Sequence, residues 1–546
     1  MGHLLFILTL LLQATQSTAD FEDRLKRATG PAQLKQLEAW CSKNKLDAEK
    51  KRVQDLLAKA PAVRTAADAA QRDAARVSGD HAREAVDNFR DGRAKSAAKE
   101  LRSVLAWMKT EKFAPPETRE RMAVLIRGLL AEEPADRAAL EAELKAVEHA
   151  DRPGEELKKS AYSFDTQVKI ILKKLTGQIF TAVEKCFAAN EPGYAFDLYR
   201  FLLQADPENE RAHKSLGEQK IDGRWLRPFE QEQWRAGLAW DEQSGWLPVK
   251  SRDRADQGEL YDPATKQWGK AADLNKLHGA PANPWKLESE HFQLISTADH
   301  AVNVKLLNRM EAFFLQAFRQ YDLFFAGKNA GNTASLIFGV LPTKKKMTVY
   351  FYRDDQQFRE HAKPPVAWAA GFYSGGRHAS FFYGRGAGFS VEVMQHELTH
   401  QILGEFSEGG GGGGAWLAEG AAVYLQYAEF RNGTLALGGL KDNSRVAEYR
   451  RNLRAGQKEH ALKTMLDTFG PNGNWDQGDI AKNYRGAGAV VYFLMTFDGG
   501  RHRADLIQLL RDAYFSRPRP VEEYFGLSVA GLDALMDRFY KECDVP

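Results

Sequence analysis

Two histidines on one turn of helix, His396-Glu397-Leu398-Thr399-His400, followed after 18 intervening residues by Glu419, constrain this chain more than any other feature. Residues i and i+4 of a helix share a face, so His396 and His400 present two imidazoles to one point while Glu397 lies one step round. Residues 391–403, VEVMQHELTHQIL, read as an uninterrupted helix, and the segment from Ala415 to Tyr424 around Glu419 reads as a second. The pattern therefore demands two helices packed together. Two neutral imidazoles and one carboxylate leave a bound zinc with a net charge of about +1 and an open fourth position, which is the donor set of a hydrolytic site. Structural zinc sites close with four ligands in which cysteine is prominent. The cysteines here, Cys41, Cys186 and Cys543, lie far from the motif. The expectation is one Zn2+ per chain, held by His396, His400 and Glu419.

The texture of the chain predicts several folded units. An apolar run from Leu4 to Leu12, then Ser17-Thr18-Ala19, reads as a signal peptide over 1–19 with cleavage before Asp20, which implies a secreted or periplasmic protein. That run is too short for a membrane span, and no other stretch is long and apolar enough. Residues 20–175 have helical spacing, as in Leu34-Leu37-Trp40-Cys41 and Leu101-Val104-Leu105-Met108, and read as an all-α helical array. Residues 176–219 resemble one tetratricopeptide-type hairpin, with Ala195, Tyr199 and Leu202 as packing residues and Pro207 as the stop. Residues 220–286 form a tryptophan-rich connector of short strands and turns carrying Trp225, Trp234, Trp240, Trp246, Trp268 and Trp285. Those indoles suit either a small core or a binding surface for carbohydrate or peptide, and the core reading is preferred. From 287 to 546 strands alternate with helices, predicting an α+β domain in which a mixed sheet lies over the motif helix and a helical subdomain closes the cleft.

The motif, set in Trp416-Leu417-Ala418-Glu419-Gly420-Ala421-Ala422-Val423-Tyr424, resembles the gluzincin metallopeptidases, in particular the peptidase MA-like family, and is similar to its aminopeptidase N and leukotriene A4 hydrolase branch. The resemblance covers about half the chain, from 288 to 546. It implies a zincin-like fold and a zinc-dependent peptidase in which Glu397 is the general base. By its distance beyond Glu419, Tyr484 is the expected oxyanion donor, with Arg485 a candidate for a substrate carbonyl or carboxylate. The aminopeptidase branch holds the substrate amine with a glutamate in a G-x-M-E-N strand. The equivalent strand here, Arg377 to Gly384, has no carboxylate, so an endopeptidase is expected. Glu392, four residues before His396, is a candidate partner for that imidazole, and His361 and His378 read as ordinary surface or strand histidines. The run Gly409 to Gly414 reads as a loose loop or a mobile lid.

Charge narrows the partners. Lysine plus arginine number 76 against 73 aspartate plus glutamate, so no concentrated positive charge exists to attract a nucleic acid. A peptide or protein substrate is expected, with a possible protein partner for the helical N-terminal half. Two rivals stand beside the peptidase: a catalytically inactive zincin-fold scaffold, and a metal-dependent hydrolase of a non-peptide bond.

Overall fold

The computed structural model describes residues 192–326, 346–385, 388–407, 414–431, 434–437, 439–470, 475, 478–515 and 518–542, with scattered helical positions between 41 and 187. The expected signal peptide, most of the helical array and Gly409 to Gly413 lie outside them. The chain divides into two compact units, Met1–Val77 and Ser78–Pro546. In the first, Cys41, Ser42, Lys50, Lys51 and Gln54 are helical; the second carries the architecture that follows. Among the described residues no helix is long and apolar enough to cross a membrane.

Ahead of the sheet, helices α1 (Pro192–Ala205) and α2 (Glu210–Ser215) flank the turn at Pro207. Ala195, Tyr199 and Leu202 are buried, and the Phe180 ring packs 5.4 Å from that of Tyr199. Phe196 meets Phe318, so this hairpin rests on the helix that covers the sheet.

The tryptophan-rich connector is three successive β-hairpins, each followed by a short helix: β1 (Gln219–Ile221) with β2 (Arg224–Leu226), β3 (Leu238–Asp241) with β4 (Gly245–Pro248), and β5 (Glu259–Asp262) with β6 (Gln267–Lys270). Trp225, Trp246 and Trp268 occupy the second strand of each, a triplication the sequence reading passed over because the intervening residues are dissimilar. The first hairpin turns at Asp222-Gly223, both with positive φ, as a two-residue turn matched to strand twist requires. The indoles are spent on packing. Trp240 meets its cross-strand partner Trp246 edge-on at 5.3 Å, Trp268 meets Tyr261 at 5.5 Å, and Trp225 stacks on His213 at 4.2 Å.

The sheet holds six strands: β7 (Trp285–Glu288), β8 (Phe292–Ser296), β9 (Met347–Tyr352), β10 (Gly371–Ser374), β11 (Ala379–Arg385) and β12 (Gly388–Phe389). Their order is β10-β11-β9-β8-β7, with β12 on β11. The sheet is mixed, because β8, β9 and β11 run parallel while β7, β10 and β12 pair antiparallel. A parallel β8–β9 pair needs a crossover, and α3 (His300–Gln320) supplies it, burying Leu306, Leu307, Met310, Phe313 and Phe314 against the sheet. The expected connector boundary at 286/287 falls inside β7, whose Trp285 is fully buried, so the sheet begins two residues earlier than the sequence reading placed it.

The remainder is helical: α4 (Asp322–Ala326) before β9, then α5 (Val391–Phe406), α6 (Ala415–Leu425), a hairpin of β13 (Ala428–Arg431) and β14 (Thr434–Leu437), and α7 (Ser444–Arg454), α8 (Leu462–Phe469), α9 (Ile480–Gly500), α10 (Arg503–Tyr514), α11 (Val521–Phe525) and α12 (Val529–Glu542). The fold is thus α+β with a mixed sheet. One continuous core runs from Ile179 through the sheet to Tyr540. The sheet's other face carries a small aromatic cluster of Tyr352, Phe358, Phe372 and Phe381, where Tyr350 stacks on Phe381 and Arg377 lies over Phe381.

Candidate metal centre

Helix α5 starts where Ser390 caps it, accepting from the Val393 N–H, and two glutamines then fix its rotation. Gln401 donates to the Thr348 carbonyl of β9 at 2.9 Å and accepts from the Ser380 hydroxyl of β11 at 2.8 Å. Gln395 donates to the Ala428 carbonyl at 2.9 Å. Buried amides have no freedom to rotate without losing those bonds, so His396 and His400 are aimed off the sheet toward α6.

Helix α6 is brought to them by close backbone approach. Gly414 at its start has φ +92°, and a Cβ there would meet the Phe469 carbonyl oxygen at 2.5 Å. The last residue of the glycine run is therefore required by both conformation and space. Further along, a Cβ on Gly420 would meet the Ala487 carbonyl of α9 at 2.6 Å, and one on Gly488 would collide with Val423. The Tyr321 hydroxyl donates to the Ala421 carbonyl at 3.0 Å, tying α6 to the core.

The three donors converge. Glu419 Oε2 lies 3.0 Å from His396 Nε2 and 3.4 Å from His400 Nε2, and the two Nε2 atoms are 3.3 Å apart. They are the metal-ligand group found among the described residues. Two bonds of about 2.0–2.1 Å at a tetrahedral angle separate their donor atoms by about 3.3 Å, so the spacing fits a single tetrahedral ion. The donor chemistry, two imidazoles and a carboxylate, fits zinc better than a hard cation that wants oxygen alone. Burial by itself would depress His400, but the Glu419 carboxylate beside it raises it to about 9. Burial opposes ionisation of Glu419 as well, yet His400 and His396 hold it well below the usual carboxylate range.

The groups around the triad were only partly legible. His396 Nδ1 lies 2.9 Å from Gln426 Oε1, just past the end of α6, whereas Glu392 is exposed and makes no bond to His396. Gln426 has no sequence signal of its own beyond following Glu419 by two turns. Glu397 Oε2 accepts the Tyr373 N–H of β10 at 2.9 Å, and burial pushes its carboxyl above the ordinary range. Gly371 allows that strand to lie close, since a Cβ there would meet Phe382 and Val393 at under 3 Å. Tyr484, the fifth residue of α9, places its ring 5.7 Å from that of His396 and edge-on to Trp475 at 5.2 Å. Burial, then Glu419 and Glu397, hold its phenol well above its usual range. Arg485 is engaged by acidic neighbours instead: Glu448 at 3.2 Å and Glu459 at 3.3 Å pair its guanidinium. His378 lies exposed against Glu405, and His361 is exposed too.

Compared with known proteins, the chain matches no family profile and no curated protein.

Proposed function

We propose that the chain is a zinc-dependent peptidase of the gluzincin type, an exported endopeptidase in which His396, His400 and Glu419 hold the metal. The observation that supports it most is the convergence of those three donors with Glu397 beside them and Tyr484 against His396. A purely structural metal site has no use for a second carboxylate outside the donor set or for a phenol ring packed against one of its imidazoles.

Zinc bound there would supply Lewis-acid polarisation of the scissile carbonyl. The chain's own residues do the rest. Glu397, its Oε2 anchored by the Tyr373 N–H, has an oxygen left to take a proton from the attacking water, and its raised carboxyl makes it a better base near neutrality. The same carboxyl then returns the proton to the leaving amine. Tyr484, kept protonated by burial, donates its hydroxyl to the oxyanion as the carbonyl becomes tetrahedral. Strand β10, which borders α5, offers an edge along which an extended substrate can lie.

The test is zinc content together with cleavage of an unbiased peptide library by the protein from Asp20 onward and by its Glu397→Gln variant. The expected result is about one zinc in both and a fall in cleavage of about 10³-fold in the variant. Zinc without cleavage by either protein would favour a scaffold or a non-peptide substrate, and absence of zinc would end the reading.

A further inference from the structure

Arg445 stands out among the basic side chains around the triad. It is the second residue of α7, and its place is set by Asn443, which accepts from the Val446 N–H at 3.2 Å and donates to the Val423 carbonyl of α6 at 3.0 Å. Val423 is one turn beyond Glu419, so α7 is fastened to the ligand helix itself. The Arg445 guanidinium carbon lies 4.8 Å from the centroid of the Tyr484 ring, whose own ring is 5.7 Å from that of His396.

What distinguishes it is the missing partner. Among the described residues Arg445 makes no hydrogen bond and no ion pair, and its Nε is buried without an acceptor. Arg485, a neighbour of Tyr484 in sequence, has two glutamates. Stacking on a phenol ring orients a guanidinium but gives none of its five N–H donors an acceptor, and the buried Nε, cut off from water, is the one left unbonded at a cost. A planar fork of donors held in that state is matched by a carboxylate.

We propose that Arg445 forms a carboxylate subsite beside the triad, binding a carboxylate of the peptide substrate and so selecting which bond is cut. This rests on the peptidase reading above. The guanidinium and His396 are separated by no more than about three residues of extended chain, so the carboxylate recognised lies within that distance of the scissile bond. It comes from an aspartate or glutamate side chain, as internal cleavage requires, or from the substrate's C-terminus, in which case cutting is near the chain end and the endopeptidase reading gives way to an exopeptidase.

The probes are random N-acetylated hexapeptide libraries in four forms: free acid or C-terminal amide, each with and without aspartate and glutamate. They are offered to the zinc-loaded protein, Arg445→Ala and Arg445→Lys. Wild type is expected to favour a carboxylate-bearing form by about tenfold, the scale of one charge-assisted pair. Arg445→Ala should lose that preference, the loss falling on KM more than on kcat and with zinc content retained, and Arg445→Lys should recover part of it. Preference for free acid over amide identifies the C-terminus, and preference for acidic residues in both forms identifies a side chain. An unchanged preference in Arg445→Ala overturns the proposal. Should wild type cleave nothing, the peptidase reading falls, and the subsite is judged by peptides retained on Glu397→Gln and on Glu397→Gln/Arg445→Ala. Carboxylate-dependent retention lost in the double variant supports it; equal retention sinks it.

Discussion

Gln426 shows how one uncharged residue sets a candidate metal ligand. When its Oε1 accepts from the Nδ1–H of His396, the Nε2 lone pair is left facing Glu419 and His400. Replacing it with leucine removes the acceptor while keeping most of the volume. Gln426→Leu should weaken zinc binding about 10–100-fold, read by competition with a chelator, with far-UV circular dichroism unchanged. Equal affinity in the variant would mean that another group orients the ring. Nothing in the sequence singled out this glutamine, because its role depends on where the chain goes after α6. The ligands were legible for the opposite reason: helical periodicity alone brings His396 and His400 together.

Between elements, the site depends on how near α6 comes to α9, since one carries Glu419 and the other Tyr484. Gly420 and Gly488 face the opposing helix with no room for a methyl group. At Gly420 the obstacle includes backbone, the Ala487 carbonyl oxygen at 2.6 Å, which cannot rotate away as the Val423 side chain facing Gly488 could. Gly420→Ala should therefore cost about 1–3 kcal/mol in urea denaturation and lower activity through displaced Glu419, whereas Gly376, with open space around it and no positive φ, offers a control. A neutral Gly420→Ala would show that the two helices separate freely. The sequence predicted both helices and the alternation of strands with helices, but placed the start of β7 in the connector. It did not reveal which faces touch, nor the threefold hairpin unit ahead of the sheet, whose recurring tryptophans are separated by dissimilar residues.

Across the whole second unit, the connector and the sheet are joined through a buried cluster. Trp285 of β7 lies between His278, 4.1 Å away, and His300 at the start of α3, 4.9 Å away, with Asp262 beside His278 at 3.5 Å. Burial pushes His300 down to about 4, with Asp262 opposing and His278 reinforcing the shift. Folded His300 thus stays neutral where the unfolded residue, near 6.5, takes a proton, so acid favours unfolding. This contribution is absent above about pH 6.5, grows as pH falls toward about 4, and is constant below that, reaching about 1–3 kcal/mol. Urea midpoints at pH 7 and pH 4.5 should differ less in His300→Asn than in wild type, and an unchanged difference would assign the acid sensitivity elsewhere. By itself the sequence determined the three candidate donors, their two helices and the α+β alternation, because those follow from local periodicity and from the few donor types a zinc ion would accept. Only the tertiary structure decided that Gln426 rather than Glu392 orients His396, that Tyr373 holds Glu397, that Arg485 is paired and Arg445 is not. Those outcomes depend on contacts between segments distant in sequence, which no local pattern encodes.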